Sequence, residues 1–455
     1  MASTEEALRV AFHGDRNATD VLTWGQRAIW TAIERTRPSD AYFNFARTID
    51  LREEGLSADL DTVLAAVGQV MSRHEALRTR LSVVDGGPIQ MVSAMGELNV
   101  RVIEAAAADE AATRLSDEFT TTAFDYEREW PLRVGVITTD GVPVFVVLGF
   151  CHLASDFGGS VFVLRDLRSA IAGTGVDQMP VLQPIDLANY QRSAAGLKAA
   201  RSAADYWERA YQRIPTSMYE HETGAQENPR YQRAFLLSPA LAQAAVVLGN
   251  RLGTGSSAVL NAAFAVAMGR QTGHDTCAML AITKNRFREQ TRNMVSTLAL
   301  EGLLVVPLAE AEDFDDVVRT AWRAAVPAYR YAQYDERDRD RIVREASERR
   351  GTFVHPYACL NDLREDDPAT DQTIPFADTP ATDLLTRSVL DWLPPLEQVS
   401  CRFCLHVGNA PEGLAIRLTA DTAYLRKSDM TDFLTSVESL VVAAADGSVA
   451  ISTVR

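Results

Sequence analysis

At 455 residues, 47% hydrophobic and 23% charged, the chain has the composition of a soluble globular protein but is too long for one ordinary core, so two domains or lobes are expected. A net charge of −16 argues against general nucleic-acid binding, which needs a basic surface to neutralise phosphates. No uninterrupted apolar run reaches a membrane span, and Met1 to Asn17 is too polar and acidic for a signal peptide, so a cytoplasmic protein is expected.

In chain order, residues 22–36 read as a helix with Thr23 as N-cap and Ile29, Trp30 and Ile33 on its apolar side. A strand over 42–50 precedes an amphipathic helix from Asp59 to Arg73, with Val63, Val67 and Val70 inward. Leu77–Val84 and Ile89–Val92, around Asp85-Gly86-Gly87, predict a hairpin. A helix over Asp109–Phe119 leads to a second hairpin, Leu132–Ile137 and Val144–Phe150, joined across Asp140-Gly141.

That second strand belongs to an almost continuous apolar run, Val142 to Phe150, which reads as buried on both faces. Val161, Leu164, Leu167 and Ile171 then recur with a helical period that stops before Gly173. Between them lies Phe150-Cys151-His152-Leu153-Ala154-Ser155-Asp156-Phe157-Gly158-Gly159. It puts a His and an Asp where a core strand breaks into a helix, a rigid place from which active groups project.

Gly173 to Gln183 is the linker candidate, followed by a helix over Asp186–Tyr211. Ser257–Met268 predicts a buried helix, and Cys277–Thr283 and Leu298–Pro307 predict core strands. Phe314–Arg349 reads as strongly charged and helical, and 361–397 as a long loop or lid. Strands Cys401–Val407 and Leu414–Asp421 and a helix over Asp429–Ala445 close the chain. The fold class is α/β in two lobes, 1–178 and 179–455.

The five cysteines, Cys151, Cys277, Cys359, Cys401 and Cys404, form an odd, sparse set unlike a disulfide framework, as in a reducing compartment. Cys401 and Cys404 are read as ordinary strand cysteines, because positions three apart on a strand face opposite sides. His13, His221, His274 and His406 show no metal spacing, and His355, in Phe353-Val-His-Pro-Tyr357, reads as a loop histidine.

Several stretches, in order, resemble the condensation domains of nonribosomal peptide synthetases, within the chloramphenicol-acetyltransferase-like superfamily. Leu22-Thr-Trp-Gly-Gln26-Arg-Ala-Ile-Trp30 is similar to the first family motif, and Arg73-His-Glu-Ala-Leu-Arg-Thr-Arg80 to its Arg-His-Glu-x-Leu-Arg-Thr motif. Phe124-Asp125 with Pro131-Leu132-Arg133 resembles the approach to the catalytic strand. Cys151-His152-x-x-x-Asp156-Phe157 stands where His-His-x-x-x-Asp-Gly is expected. Asp186-Leu-Ala-Asn-Tyr190, Tyr206-Trp207, Asn285-Arg286 and Met294-Val295 resemble later motifs.

The resemblance implies two lobes, each a mixed sheet with helices, set as a V around a central tunnel. Because it runs from about residue 20 to 445, it also implies a free-standing protein. The implied reaction is acyl transfer in secondary metabolism. The donor thioester comes on the phosphopantetheine of an acyl or peptidyl carrier protein, or on CoA, and the acceptor is an amine or alcohol. No covalently bound cofactor, metal, nucleic acid or membrane enters, and a monomer is expected. His152 matches the catalytic His and would take a proton from the acceptor or orient it. Asp156 matches a supporting carboxylate expected to pair with an arginine of the second lobe: Arg286, with Arg288 as the competing choice.

Three departures bear on activity. Cys151 replaces the first motif His and reads as a small buried residue pointing away from His152. Phe157 replaces the motif Gly, adding bulk and removing permissive backbone angles, while Gly158 displaces the turn by one residue. Cys151, Phe157 and Gly158 are therefore assigned to the tunnel and its selectivity. Thr297-Leu298-Ala299-Leu300 replaces the family's floor-loop motif. The competing structural reading of His152 and Asp156 is a buried histidine bonded to a carboxylate for support alone; Arg73, His74, Glu75, Arg78 and Arg80 read as a polar helix-to-strand junction. Three functions stay open: a condensation acyltransferase, a non-catalytic module that recruits a carrier or tailoring enzyme, and a CoA-dependent O-acyltransferase.

Overall fold

In the computed structural model, which describes residues 4–84, 86–176, 181–224, 226–364, 379–397, 399, 402–447 and 449–450, strands β1 (Thr4–His13) and β2 (Ala18–Val21) lead into α1 (Trp24–Thr36). Thr23 opens α1 through a capping box: its hydroxyl accepts from Gln26 N at 3.2 Å while Gln26 Oε1 accepts from Thr23 N at 2.9 Å. After β3 (Phe45–Asp50), Asp59 caps α2 (Leu60–Arg73) by accepting from Thr62 N at 2.8 Å. The hairpin β4 (Thr79–Val84) and β5 (Gly87–Val92) is followed by β6 (Met95–Glu104), α3 (Ala108–Thr121), β7 (Leu132–Thr139) and β8 (Val142–Phe150). Asp140 and Gly141 turn β7 into β8 with φ of 51° and 76°, the positive pair that a tight hairpin requires.

Next come α4 (Phe157–Ile171), α5 (Pro184–Arg192) and α6 (Ala194–Tyr211). The single helix expected over 186–211 is broken at Ser193, whose hydroxyl accepts from Gly196 N at 3.2 Å. A Cβ on Gly196 would lie 2.3 Å from the Tyr190 carbonyl, so the close join requires glycine.

The remaining elements are β9 (Tyr231–Ser238), α7 (Pro239–Leu252), α8 (Ser256–Thr272), β10 (Thr276–Thr283), α9 (Glu289–Arg292), β11 (Leu300–Pro307), α10 (Phe314–Arg330), α11 (Glu336–Arg350), β12 (Ala358–Asp362), α12 (Ala381–Leu384), β13 (Val389–Leu396), β14 (Phe403–Ala410), β15 (Gly413–Asp421) and α13 (Lys427–Asp446). The charged helical stretch expected over 314–349 is made of two helices, the second capped by Asp335 through Arg337 N at 3.0 Å. The loop or lid expected over 361–397 contains α12 and β13, an exposed strand that pairs with β9; residues 365–378 lie outside the described residues. β14 begins at Phe403 and contains Cys404; the expectation for Cys401 lies outside the described residues. Cys404 is disulfide-bonded, which corrects its reading as an ordinary strand thiol.

Contacts divide the chain into a unit of residues 1–198 with 284–300 and a unit of residues 199–283 with 301–455. The division falls at 198/199 rather than at 178/179, and the segment 284–300 packs with the first unit although its neighbours in sequence do not. The first unit has a five-stranded sheet in the order β1-β6-β7-β8-β3 and a small sheet β2-β5-β4. The second has a seven-stranded sheet, β11-β10-β12-β14-β15-β9-β13. Among the described residues no single helix is long and apolar enough to cross a membrane.

β8 is what positions the site. Val146, Leu148 and Phe150 pack with Val63, Val67 and Val70 of α2 and Val163, Leu164 and Leu167 of α4. The alternate residues Phe145 and Val147 pack with Ala111, Leu115 and Phe119 of α3. Gly149 completes that face: a Cβ there would stand 2.6 Å from the Phe119 Cβ. A strand clamped on both faces ends in a fixed place, and His152 is two residues beyond its end.

Candidate active site

Cys151 continues the path of β8 by one hydrogen bond, its N–H donating to the Pro131 carbonyl at 3.0 Å. Its side chain packs with Leu22, Trp30, Leu81 and Phe124 in a buried cluster. Burial pushes the thiol up to about 12, so it is a protonated core group at neutral pH and no nucleophile. It is a buried residue, as expected from the alternation of the strand.

The chain then turns through residues 152–154 and enters α4 at its N-cap, Asp156. His152 is half-buried in this turn, edge-on to Phe45 with ring centroids 5.8 Å apart. Phe45 is held in turn by stacking on Phe150 at 5.1 Å. The backbone carbonyl of His152 accepts a hydrogen bond from the Thr297 hydroxyl. Its Nδ1 is buried without a hydrogen-bond partner, which leaves Nε2 as the nitrogen the ring can offer to a reactant. Burial lowers the imidazole pKa below its ordinary 6.5, against the opposing pull of Asp156, so the ring is neutral near pH 7 and able to accept a proton.

Asp156 does not touch the imidazole in a hydrogen bond; every partner it has serves the scaffold. Its Oδ1 accepts from Gly159 N at 2.7 Å, capping α4. Oδ2 accepts from Leu298 N and Ala299 N, both at 2.9 Å. Arg286 adds a two-pronged pair, Nη1 to Oδ2 at 2.9 Å and Nη2 to Oδ1 at 2.7 Å. Burial alone would raise the pKa of this carboxyl, but the Arg286 charge and these hydrogen bonds outweigh it and hold the group below its usual 3.8.

Arg286 also donates to the carbonyls of Lys284 at 3.1 Å, Met294 at 3.1 Å and Ser296 at 3.0 Å. One guanidinium thus folds the 284–298 loop and fastens it to the N-terminus of α4. It lies in the same unit as Asp156, which corrects the expectation of an arginine from the second lobe. Arg288, the competing choice, donates instead to Tyr190 Oη at 2.5 Å.

Gly158 and Gly159 form the seat of that guanidinium. A Cβ on Gly158 would stand 3.0 Å from Arg286 Nη1, and one on Gly159 3.1 Å from Nη2 and 2.5 Å from Ser155 Oγ. Gly158 is therefore placed against the arginine, a neighbour the sequence does not reveal. Gly159→Ala should lose about 1–3 kcal/mol of stability by overpacking, read as a lower urea midpoint. An unchanged midpoint would mean that the seat tolerates a methyl group.

Phe157, the first residue of α4, is half-buried with the Arg47 guanidinium 4.4 Å from its ring centre. Phe45 and Arg47 are two apart on β3 and so share a face: one touches His152 and the other Phe157. Nothing in the residue types marks Phe45 or Arg47 as neighbours of the site, whereas Thr297 stands in the stretch that replaces the floor-loop motif. The Leu298 and Ala299 contacts are backbone amides, which no side-chain motif reveals.

The Arg73–Arg80 motif is scaffold. His74 Nε2 lies 2.9 Å from Asp166 Oδ2 and Arg73 Nε 3.1 Å from the same atom, tying the end of α2 to α4. Glu75 pairs with Arg16 at 2.8 Å, and Arg80 lies over Trp130 at 4.3 Å. His355, in the second unit, accepts from Tyr357 N on Nδ1 at 3.0 Å and stacks on Phe353.

The family described as Condensation domain matches residues 20–371. The chain is 28% identical over 320 residues to cyclosporin synthetase of Tolypocladium inflatum, an alignment covering 65% of this chain and 2% of that synthetase. The chain thus spans only a small part of the length of the curated relatives it matches. Its fold is similar to that of the condensation domain from Monacolin K polyketide synthase MokA, with a TM-score of 0.73 at 16% identity over 95% of this chain and 99% of the other. It is also similar to the X-domain from teicoplanin biosynthesis, with a TM-score of 0.69 at 17% identity over 97% and 98%. At such identities the two structures speak to the fold alone.

Proposed function

The chain belongs to the condensation-domain family, and we propose that it is an acyltransferase that moves an acyl group from a carrier-bound thioester to an amine or hydroxyl acceptor in peptide- or polyketide-type biosynthesis. The observation that carries this reading is the placement of His152, half-buried in a turn two residues beyond the end of a strand clamped on both faces, where burial favours the neutral imidazole. In the proposed step the acceptor N–H or O–H is oriented by Nε2, the acceptor heavy atom attacks the thioester carbonyl, and the proton passes to the imidazole as the new C–N or C–O bond forms. Collapse of the tetrahedral intermediate expels the pantetheine thiolate, which takes the proton back. The thioester is already activated, so no acyl-enzyme is needed, and the buried, protonated Cys151 thiol agrees with that.

One observation favours a second reading. Phe157 replaces a glycine expected by resemblance and carries a guanidinium on its ring, so this side of the site is bulkier than the motif predicts. A module that binds a carrier or a tailoring enzyme without catalysis would tolerate that bulk. The test is single-turnover transfer from a panel of acyl-loaded carriers to amine and alcohol acceptors, with the carrier-bound species followed by mass spectrometry. Loss of the acyl group to an acceptor supports the transferase. Carrier binding with no transfer supports the recruiting module, and transfer from acyl-CoA alone the CoA-dependent enzyme.

A further inference from the structure

Helix α10 presents two unlike faces. Phe314, Val317, Val318, Ala321, Ala325 and Ala328 are buried, whereas Arg319, Trp322, Arg323, Val326 and Arg330 are exposed. At 100° per residue the exposed five fall within an arc of about 100°, along a stripe of about 16 Å. Trp322 is 46% exposed and Val326 56%, one turn apart at the middle of the stripe, with arginines before, between and after them. Such a pairing of apolar centre and charged ends is how docking faces are built, with Trp and Arg as their usual anchors.

The charge is as distinctive as the apolar pair. From Arg319 to Arg330 the helix has three arginines and no acidic residue, in a chain whose net charge is −16. Arg319 pairs with Asp316 at 3.2 Å. Arg323 donates to the Arg319 carbonyl at 3.2 Å and to Thr320 Oγ1 at 3.3 Å, and Arg330 lies 5.7 Å from the Tyr331 ring. Among the described residues neither Arg323 nor Arg330 has a carboxylate partner. A locally basic, partly apolar face on a strongly acidic molecule selects a partner of the opposite pattern and steers it there over the general repulsion.

We propose that the exposed face of α10 is the docking surface for an acidic protein with an apolar contact at its centre, and that this partner is the carrier that delivers the thioester. The identity of the partner as the carrier rests on the transferase reading above; the complementarity does not. Docking through Arg323 and Arg330 makes the association salt-dependent, since exposed ion pairs are screened.

The experiment titrates the full chain with an acidic acyl carrier protein bearing phosphopantetheine, at low and high salt, by fluorescence anisotropy. The wild type is compared with Trp322→Ala and with Arg323→Glu/Arg330→Glu, all at exposed positions. Transfer from a small carrier-free acyl thioester is measured beside it. Expected are a weakening of carrier binding by about tenfold or more in both variants, a binding constant in the wild type that falls with salt, and carrier-free transfer unchanged. Binding by the variants equal to that of the wild type overturns the docking surface and leaves the transferase reading intact. Absence of binding by the wild type itself, beside measurable carrier-free transfer, overturns the carrier as partner.

Discussion

Replacing His152 with alanine is expected to lower acyl transfer from a loaded carrier by about 10²–10⁴-fold, the usual contribution of a positioned acid–base group, while the fold is retained. The side chain is half-buried and contributes one aromatic edge contact, with Phe45, so its removal should alter the circular dichroism spectrum and the thermal midpoint little. Mass spectrometry of the carrier-bound acyl chain reads the rate. Equal transfer by wild type and variant would remove His152 from the chemistry. The pH dependence gives a second readout. Burial sets the imidazole pKa below 6.5, and only the neutral ring can accept a proton. The wild-type rate should therefore be flat near pH 7 and fall as pH drops through a value under 6.5. A fall centred above 6.5 would contradict the buried, neutral ring.

The larger effect on stability is expected at Arg286. Arg286→Ala leaves the Asp156 carboxylate buried without its counter-charge, a change that costs about 3–5 kcal/mol, and it releases the carbonyls of Lys284, Met294 and Ser296 together. Urea unfolding should show a midpoint far below that of the wild type. Asp156→Leu combined with Arg286→Met, which removes both charges and keeps apolar bulk, should recover part of the loss. A double variant worse than Arg286→Ala would assign the cost to the backbone bonds and not to the charge pair. The sign of the pH effect follows from the depressed Asp156 pKa. Its contribution is fully present above the ordinary 3.8 and is lost as pH falls through the lower folded value. Arg286→Ala should therefore shift acid unfolding to higher pH.

What could be read from the sequence follows from how each feature is encoded. β8 was legible because both of its faces are buried, so its apolar run has almost no interruption. The start of α1 was legible because a cap is a local bond between near neighbours, Thr23 and Gln26. β1 was not legible: its ten residues bury only Val10 and Phe12, and its sequence, TEEALRVAFH, reads as a polar segment. β13 was missed for a related reason, being an exposed strand with two prolines inside it. At the site, the pairing of Asp156 with an arginine came from the motif, but the loop it fastens is bound through amides and carbonyls that any residue carries. The neighbour of Gly158 was not legible because the guanidinium it faces lies 128 positions along the chain, from 158 to 286.

The excursion of residues 284–300 has a consequence for the order of events during synthesis. The N-terminal 198 residues emerge from the ribosome with Asp156 already at the start of α4, yet the groups that satisfy it, Arg286, Leu298 N and Ala299 N, are translated roughly a hundred residues later. At about 5–20 residues per second that interval lasts several seconds or more. Until it ends, Asp156 has the Gly159 amide of its own helix as a partner and otherwise depends on water, since a buried carboxylate needs its counter-charge. The turn at His152 can therefore gain these contacts only after residues 284–300 have been made, and a product truncated before them would leave Asp156 without Arg286 and the two amides.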